Sequence, residues 1–181
     1  MPKYVAFLRA INVGGHLVKM DQLRGLFEEL GFSNVETFIA SGNVIFDTKT
    51  TNSKSLESKI ERHLMKSFGY EVATFIRSVT ELGAIAQHKP FSDEELTADG
   101  NTLYIAFVRD KPPGAVAKNL VSLSSAIDAF QVHDREVYWL YRRNNGESKY
   151  YGAALEKGLV MPATLRNVNT INRLAAKYCK K

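Results

Sequence analysis

The 181-residue chain has a single cysteine, Cys179, so it can build neither an internal disulfide framework nor a thiolate-rich metal cluster. No apolar run approaches the ~20 residues that a bilayer span needs. The N-terminal Met-Pro-Lys-Tyr carries no leader pattern, so the expectation is a cytoplasmic protein with no membrane partner. His16, His63, His88 and His133 are scattered without metal-ligand spacing, and no metal is expected. There is no nucleophile elbow, no Gly-Lys-Ser/Thr phosphate loop and no paired-carboxylate signature. Catalytic residues are therefore not identified, and no cofactor is implied. Whether the chain is an enzyme stays open, because catalytic triads are defined by geometry rather than by spacing. The sequence does not set the oligomeric state either.

What is present is a foldable core. Apolar residues make up 45% of the chain and charged residues 24%, with ten Phe and eight Tyr spread along its length, which excludes extended disorder. A chain of this size folds without metals or disulfides. The net charge of +5 is uneven. Residues 1–100 carry 11 basic and 13 acidic side chains, whereas residues 135–181 carry 10 basic and 3 acidic. A basic end suits an anionic partner such as nucleic acid, a phosphorylated ligand or an acidic protein surface, and equally suits a solvated face.

The chain repeats itself. Tyr4-Val5-Ala6-Phe7-Leu8-Arg9 returns one hundred residues later as Tyr104-Ile105-Ala106-Phe107-Val108-Arg109. Both segments are apolar on both faces, as buried central strands are. After the first, Leu23, Leu26, Phe27 and Leu30 mark a helix over Met20–Leu30. Val35–Ala40 and Val44–Asp47 read as a hairpin around Ser41-Gly42-Asn43, followed by a helix at Lys54–Phe68 and a strand at Ala73–Arg77. The order β-α-β-β-α-β is the split βαβ, or ferredoxin-like, pattern. The second copy has strands at Leu103–Arg109, Ile127–Val132 and Glu136–Tyr141, and helices at Ala115–Ser122 and from Ser148, read as its cap, to Lys157. A last helix, Thr164–Tyr178, stands where a fourth strand would be. The fold class is thus α+β: a ferredoxin-like module at 1–78, a linker with a short helix at 79–101, and a second module at 102–181, variant at its C-terminus.

Three stretches carry a family resemblance: Arg9-Ala10-Ile11-Asn12-Val13-Gly14-Gly15, Ala40-Ser41-Gly42-Asn43-Val44-Ile45-Phe46, and Pro162-Ala163-Thr164-Leu165-Arg166-Asn167-Val168-Asn169-Thr170. In order and spacing they resemble the signatures of the bacterial domain of unknown function 1697 family. The chain departs from that pattern at Val168, where an aromatic is usual, and at His16, where lysine is common. The resemblance implies an α+β fold with a ferredoxin-like core and no established activity.

Candidate sites follow. Arg9 and Arg109 end equivalent strands, where a guanidinium clamps a phosphate or carboxylate or holds an internal ion pair; the duplication favours the ion pair. Asn12, Gly14 and Gly15, with Lys19 nearby, lie in a loop able to offer N–H groups to an anion or simply to turn. Ser41 and Asn43 belong to the hairpin. That hairpin and the loop after the first strand are expected at opposite ends of the sheet, which would keep Asn12 and Asn43 apart. On the expected last helix, Arg166, Thr170, Arg173 and Lys177 form a basic stripe flanked by Asn169, suited to a phosphate backbone. Upstream, Tyr138-Trp139-Leu140-Tyr141-Arg142-Arg143 mixes rings with cations, and Lys149 adds another; exposed rings there can stack on unpaired bases. Cys179 lies in the basic tail and is no nucleophile candidate.

The leading expectation is a non-catalytic binding protein whose basic C-terminal module engages nucleic acid or another polyanion through Arg142, Arg143, Lys149, Arg166, Arg173 and Lys177. The alternatives are an enzyme or sensor for a small phosphorylated or carboxylated ligand, held by Arg9, Asn12, Gly14, Gly15, Ser41, Asn43, Arg166, Asn167, Asn169 and Thr170, and a protein–protein interaction module.

Overall fold

The computed structural model describes residues 1–11, 17–39, 42–151 and 153–180. They form two compact units, one of residues 1–83 together with the tail from Tyr178, the other of residues 84–177.

In the first unit, β1 (Lys3–Leu8), α1 (Met20–Glu29), β2 (Ser33–Thr37), β3 (Asn43–Asp47), α2 (Ser53–Phe68) and β4 (Thr74–Ser78) follow in chain order, and α3 (Val79–Gln87) begins here. The four-stranded sheet runs β2-β3-β1-β4, with every neighbouring pair antiparallel. Strand alternation sends Tyr4, Ala6, Leu8, Val44, Phe46 and Ile76 to one face. The apolar stripes of α1 (Leu23, Leu26, Phe27) and α2 (Leu56, Ile60, Leu64) pack on that face. Asn52 starts α2 by accepting the Ser55 N–H at 3.0 Å, and Gly69 ends it in the left-handed conformation at φ 78°. Val5, Phe7, Ile45 and Phe75, on the other face, are buried as well, which fits the doubly apolar reading of β1.

Edge strand β4 is closed by carboxylates. The Thr74, Ile76 and Ser78 N–H groups donate to Glu61 (2.9 Å), Glu57 (3.0 Å) and Glu81 (2.7 Å). Glu57 and Glu61 lie one turn apart on α2, so a single helix face serves two rungs of the edge. An edge closed in this way offers no free ladder to another strand.

The second unit repeats this plan. It contains α4 (Asp93–Thr97), β5 (Asn101–Phe107), α5 (Gly114–Ser122), β6 (Asp128–His133), β7 (Glu136–Arg142), α6 (Ala153–Leu159), β8 (Thr164–Asn167) and most of α7 (Val168–Tyr178). The sheet order is β6-β7-β5-β8. Phe130, Val137, Trp139 and Tyr141 share a core with Leu120 of α5 and Leu155 and Leu159 of α6. The repeat reaches single hydrogen bonds: Leu8 N–H donates to Gly42 O at 2.8 Å, and Val108 N–H to Arg135 O at 3.1 Å.

Four expectations are corrected. Thr164–Asn167 is a strand, not the start of the last helix, because its backbone pairs with β5 from Tyr104↔Asn167 to Phe107↔Thr164. The second module thus has its fourth strand, and its variation lies in the helix that follows. Ser148 caps no helix: it accepts the Tyr150 N–H at 3.1 Å in a turn, and α6 starts only at Ala153. The stretch 79–101, expected to hold one short helix, holds two, α3 and α4, the second starting with a capping box between Ser92 and Glu95. Finally, β1 is antiparallel to β3, so its C-terminal end meets the start of β3, and the hairpin and the loop after β1 share one end of the sheet. Among the described residues, no helix is long and apolar enough to cross a membrane.

Candidate functional site

Two of the sequence motifs meet at that end of the first sheet. Gly42, at φ 75°, lies so close to β1 that a Cβ there would be 3.1 Å from Leu8 Cβ and 3.2 Å from Ile11 Cβ. Glycine is required on both counts. Asn43 is fully buried; its side-chain amide donates to Phe38 O at 3.0 Å, so it closes the hairpin instead of facing a ligand. Arg9 is half-buried, and its N–H donates to Ala73 O at 2.9 Å. Ala10 and Ile39 hold φ values of 58° and 56°, a costly conformation for a β-branched residue such as Ile39. Asn12, Gly14, Gly15, His16 and Ser41 lie outside the described residues.

The third motif is divided by the strand–helix junction. Arg166 sits on β8, opposite Ile105, and is buried. Its Nη1 donates to Thr164 Oγ1 at 2.8 Å and to Leu165 O at 2.9 Å. Burial lowers its pKa to about 10. Arg166 therefore leaves the predicted basic stripe, since a strand residue facing the protein cannot continue a solvent-facing helix row. Sequence reasoning missed its counterpart. Arg77 lies opposite Val5 as Arg166 lies opposite Ile105, is fully buried, and donates from Nη1 to Ile76 O at 2.8 Å. The signal was available in the hundred-residue offset between Val5 and Ile105, once both fourth strands were placed. Asn167 Oδ1 accepts the Asn169 N–H at 2.9 Å and so turns the chain into α7. On α7 itself, Asn169, Arg173 and Lys177 are exposed and Thr170 is half-buried.

The remaining cations lie at the C-terminal end of β7. Arg142 is engaged internally, donating to Glu95 Oε1 at 2.9 Å and to Ser125 O at 3.1 Å, and this bond holds the Glu95 carboxyl below its ordinary pKa. Arg143 lies 5.6 Å from the centre of the Tyr141 ring, and Lys149 5.5 Å from that of Tyr150. Beneath them Tyr104, Trp139 and Tyr141 form a stacked row, with centroid separations of 4.9 and 5.7 Å. Trp139 is anchored by its Nε1–H to Asp128 Oδ1 at 2.7 Å. Tyr151 stands edge-on to all three rings and is 48% exposed. Burial, followed by its hydrogen bond with Tyr104, pushes its pKa up to about 12, so it stays a neutral phenol.

The other candidates resolve structurally. His63 Nε2 is 2.9 Å from Glu29 Oε2. Cys179 Sγ is 3.2 Å from Val79 O, and burial raises the thiol pKa, which disfavours a reactive thiolate. Among the described residues, no group of three or more His, Cys, Asp or Glu is placed to hold a metal. The charge asymmetry also shrinks when counted by unit. Residues 84–177 include the acidic α4 and hold 12 basic and 10 acidic side chains; residues 1–83 and 178–181 hold 12 basic and 9 acidic.

Fold and motifs together define a class: a tandem pair of ferredoxin-like α+β modules carrying three short polar signatures. The chain belongs to the family described as Protein of unknown function (DUF1697), which matches residues 1–138. A conserved bacterial protein from Streptococcus pneumoniae has a similar structure, with a TM-score of 0.81 and 20% identity over 99% of either chain. That likeness establishes the fold. No match to this chain is found among curated proteins.

Proposed function

We propose that this is a binding protein rather than a catalyst, and that its second module engages single-stranded nucleic acid at the rim formed by Arg143, Lys149 and Tyr151. One observation carries the reading: two cations, each over an aromatic ring, flank a half-exposed tyrosine that is itself backed by three further rings. A base stacks on such a ring regardless of sequence, and the cations meet the phosphates on either side. Arg173 and Lys177 are the further phosphate contacts in this reading, whereas Arg142 and Arg166 are spent inside the fold. Anisotropy titration of a labelled 15-mer oligonucleotide at low and moderate salt tests it. Affinity should fall as salt rises, Tyr151→Ala should weaken it by about tenfold, and Arg143→Ala should lower the salt slope by about one. Absence of binding at low salt would end the proposal.

A second reading is favoured by the meeting of two motifs beside Arg9. There a small phosphorylated or carboxylated ligand would be held by the Arg9 guanidinium and the loop that follows it. In a thermal-shift series with nucleotides and phosphorylated metabolites, a ligand at one hundred times its Kd adds about 2.7 kcal/mol. Arg9→Gln should abolish that shift.

A further inference from the structure

The second unit contains a histidine pair that neither reading uses. His88 closes the last turn of α3, its N–H shared between Ala84 O (3.0 Å) and Ile85 O (3.3 Å). Its ring lies on that of His133, at the end of β6, with centroids 4.1 Å apart and planes 11° from parallel. Tyr138 of β7 supports the same ring at 5.0 Å. Two imidazoles can stack at this distance while at least one is neutral; two imidazolium ions so placed repel. We propose that His88 and His133 form a proton-operated latch, which holds the end of α3 on the second sheet near neutral pH and releases it when both rings are charged.

The charged and titratable groups around the pair are few. Glu136 lies directly across the β6–β7 ladder from His133. Arg135 and Asp134 occupy the turn between those strands, and Tyr138 gives His88 an aromatic face and no carboxylate. Lys89, the next residue, is paired with Asp93 at 2.9 Å. Burial, then the neighbouring His133, pulls the His88 pKa below its ordinary 6.5. The neutral form is therefore the one the fold favours. Stability from this contact is present above pH 6.5 and is lost as pH falls through the lower folded value.

Carbon–proton NMR of the histidine Cε1 groups in the full chain, from pH 8 to 4.5, tests the latch together with the protection factor of the His88 amide. The His88 midpoint should lie below 6.5 in the wild type. It should rise in His133→Gln, a change at an exposed position. The His88 protection factor should drop about tenfold across the wild-type transition and much less in the variant. A His88 midpoint at or above 6.5, or one unmoved by His133→Gln, would overturn the proposal, as would an equal loss of protection in both proteins.

Discussion

The two modules share the register of their inner pairings, β1 with β3 and β4 matching β5 with β7 and β8, while only the first shifts its outer pair between Ser33 and Glu36; they also shield their sheets by different means. In the first, the 16-residue α2 lies along the sheet and supplies two of the three glutamates that close β4. In the second, α6 has only seven residues and supplies a comparable bond, from the Ala163 N–H to Glu156 Oε1 at 3.2 Å. Ala163 precedes β8 at the register position of Thr74. Where the helix is shorter, rings extend the cover: Phe46 opposite Tyr4 is sealed under α1 and α2, whereas Trp139 opposite Tyr104 also has Tyr151 standing edge-on to it. A shared backbone plan thus yields one module covered by two longer helices and one with an aromatic edge reaching solvent. The shorter helix creates the candidate site.

The sharpest way to break this comparison is to remove the paired rings. Trp139→Ala should cost about 5 kcal/mol, because it opens a large cavity and leaves Asp128 without its indole partner. Phe46→Ala should cost about 4 kcal/mol, a cavity loss alone. Urea denaturation ranks the two, and a larger loss at Phe46 would show that the second module does not depend on its ring stack. Next come the edges. Glu57→Ala uncovers the Ile76 N–H from a fully buried position and should cost about 2–3 kcal/mol; Glu156→Ala, half-buried, should cost about 1 kcal/mol. Smaller again is the turn. Gly42→Ala meets both a positive φ and β1, for about 2 kcal/mol, while Gly31→Ala, with open space but φ 84°, should cost about 1 kcal/mol.

The smallest effect is electrostatic. Glu95 has its pKa lowered chiefly by Arg142, so its contribution is present above 4.5 and disappears as pH falls through the lower folded value. Both partners are partly exposed, so Arg142→Gln should remove only about 0.5 kcal/mol at pH 7. It should also flatten the stability profile below pH 4.5, which thermal melts at several pH values would reveal.

Most of the architecture was legible in the sequence because the Tyr4 and Tyr104 segments announce a duplication, and each strand–helix alternation is strongly patterned. β8 was not. Leu165, Val168 and Ile171 fall at helical spacing, so four residues of strand merged with the helix behind them. Placing Arg166 on that helix turned a buried guanidinium into a surface cation. Tyr151 escaped notice because Ser148 looked like a cap and the segment therefore like a helix. Its exposure depends on α6 starting late, a tertiary outcome with no local mark. The shared end of β1 and the hairpin follows from strand direction alone, and a correct reading of the β-α-β-β order would have given it.

Tyr178 donates its hydroxyl proton to Glu36 at 2.8 Å and packs edge-on against Phe38, so the last residues complete the unit that contains the first. The segment 84–177 is, in chain order, a guest inserted into its host. During synthesis the host can assemble its sheet early, but its contacts with Tyr178 form only once the guest segment has been made. Nascent chains halted before Tyr178 should therefore expose the flank of β2 to proteases that the finished protein resists.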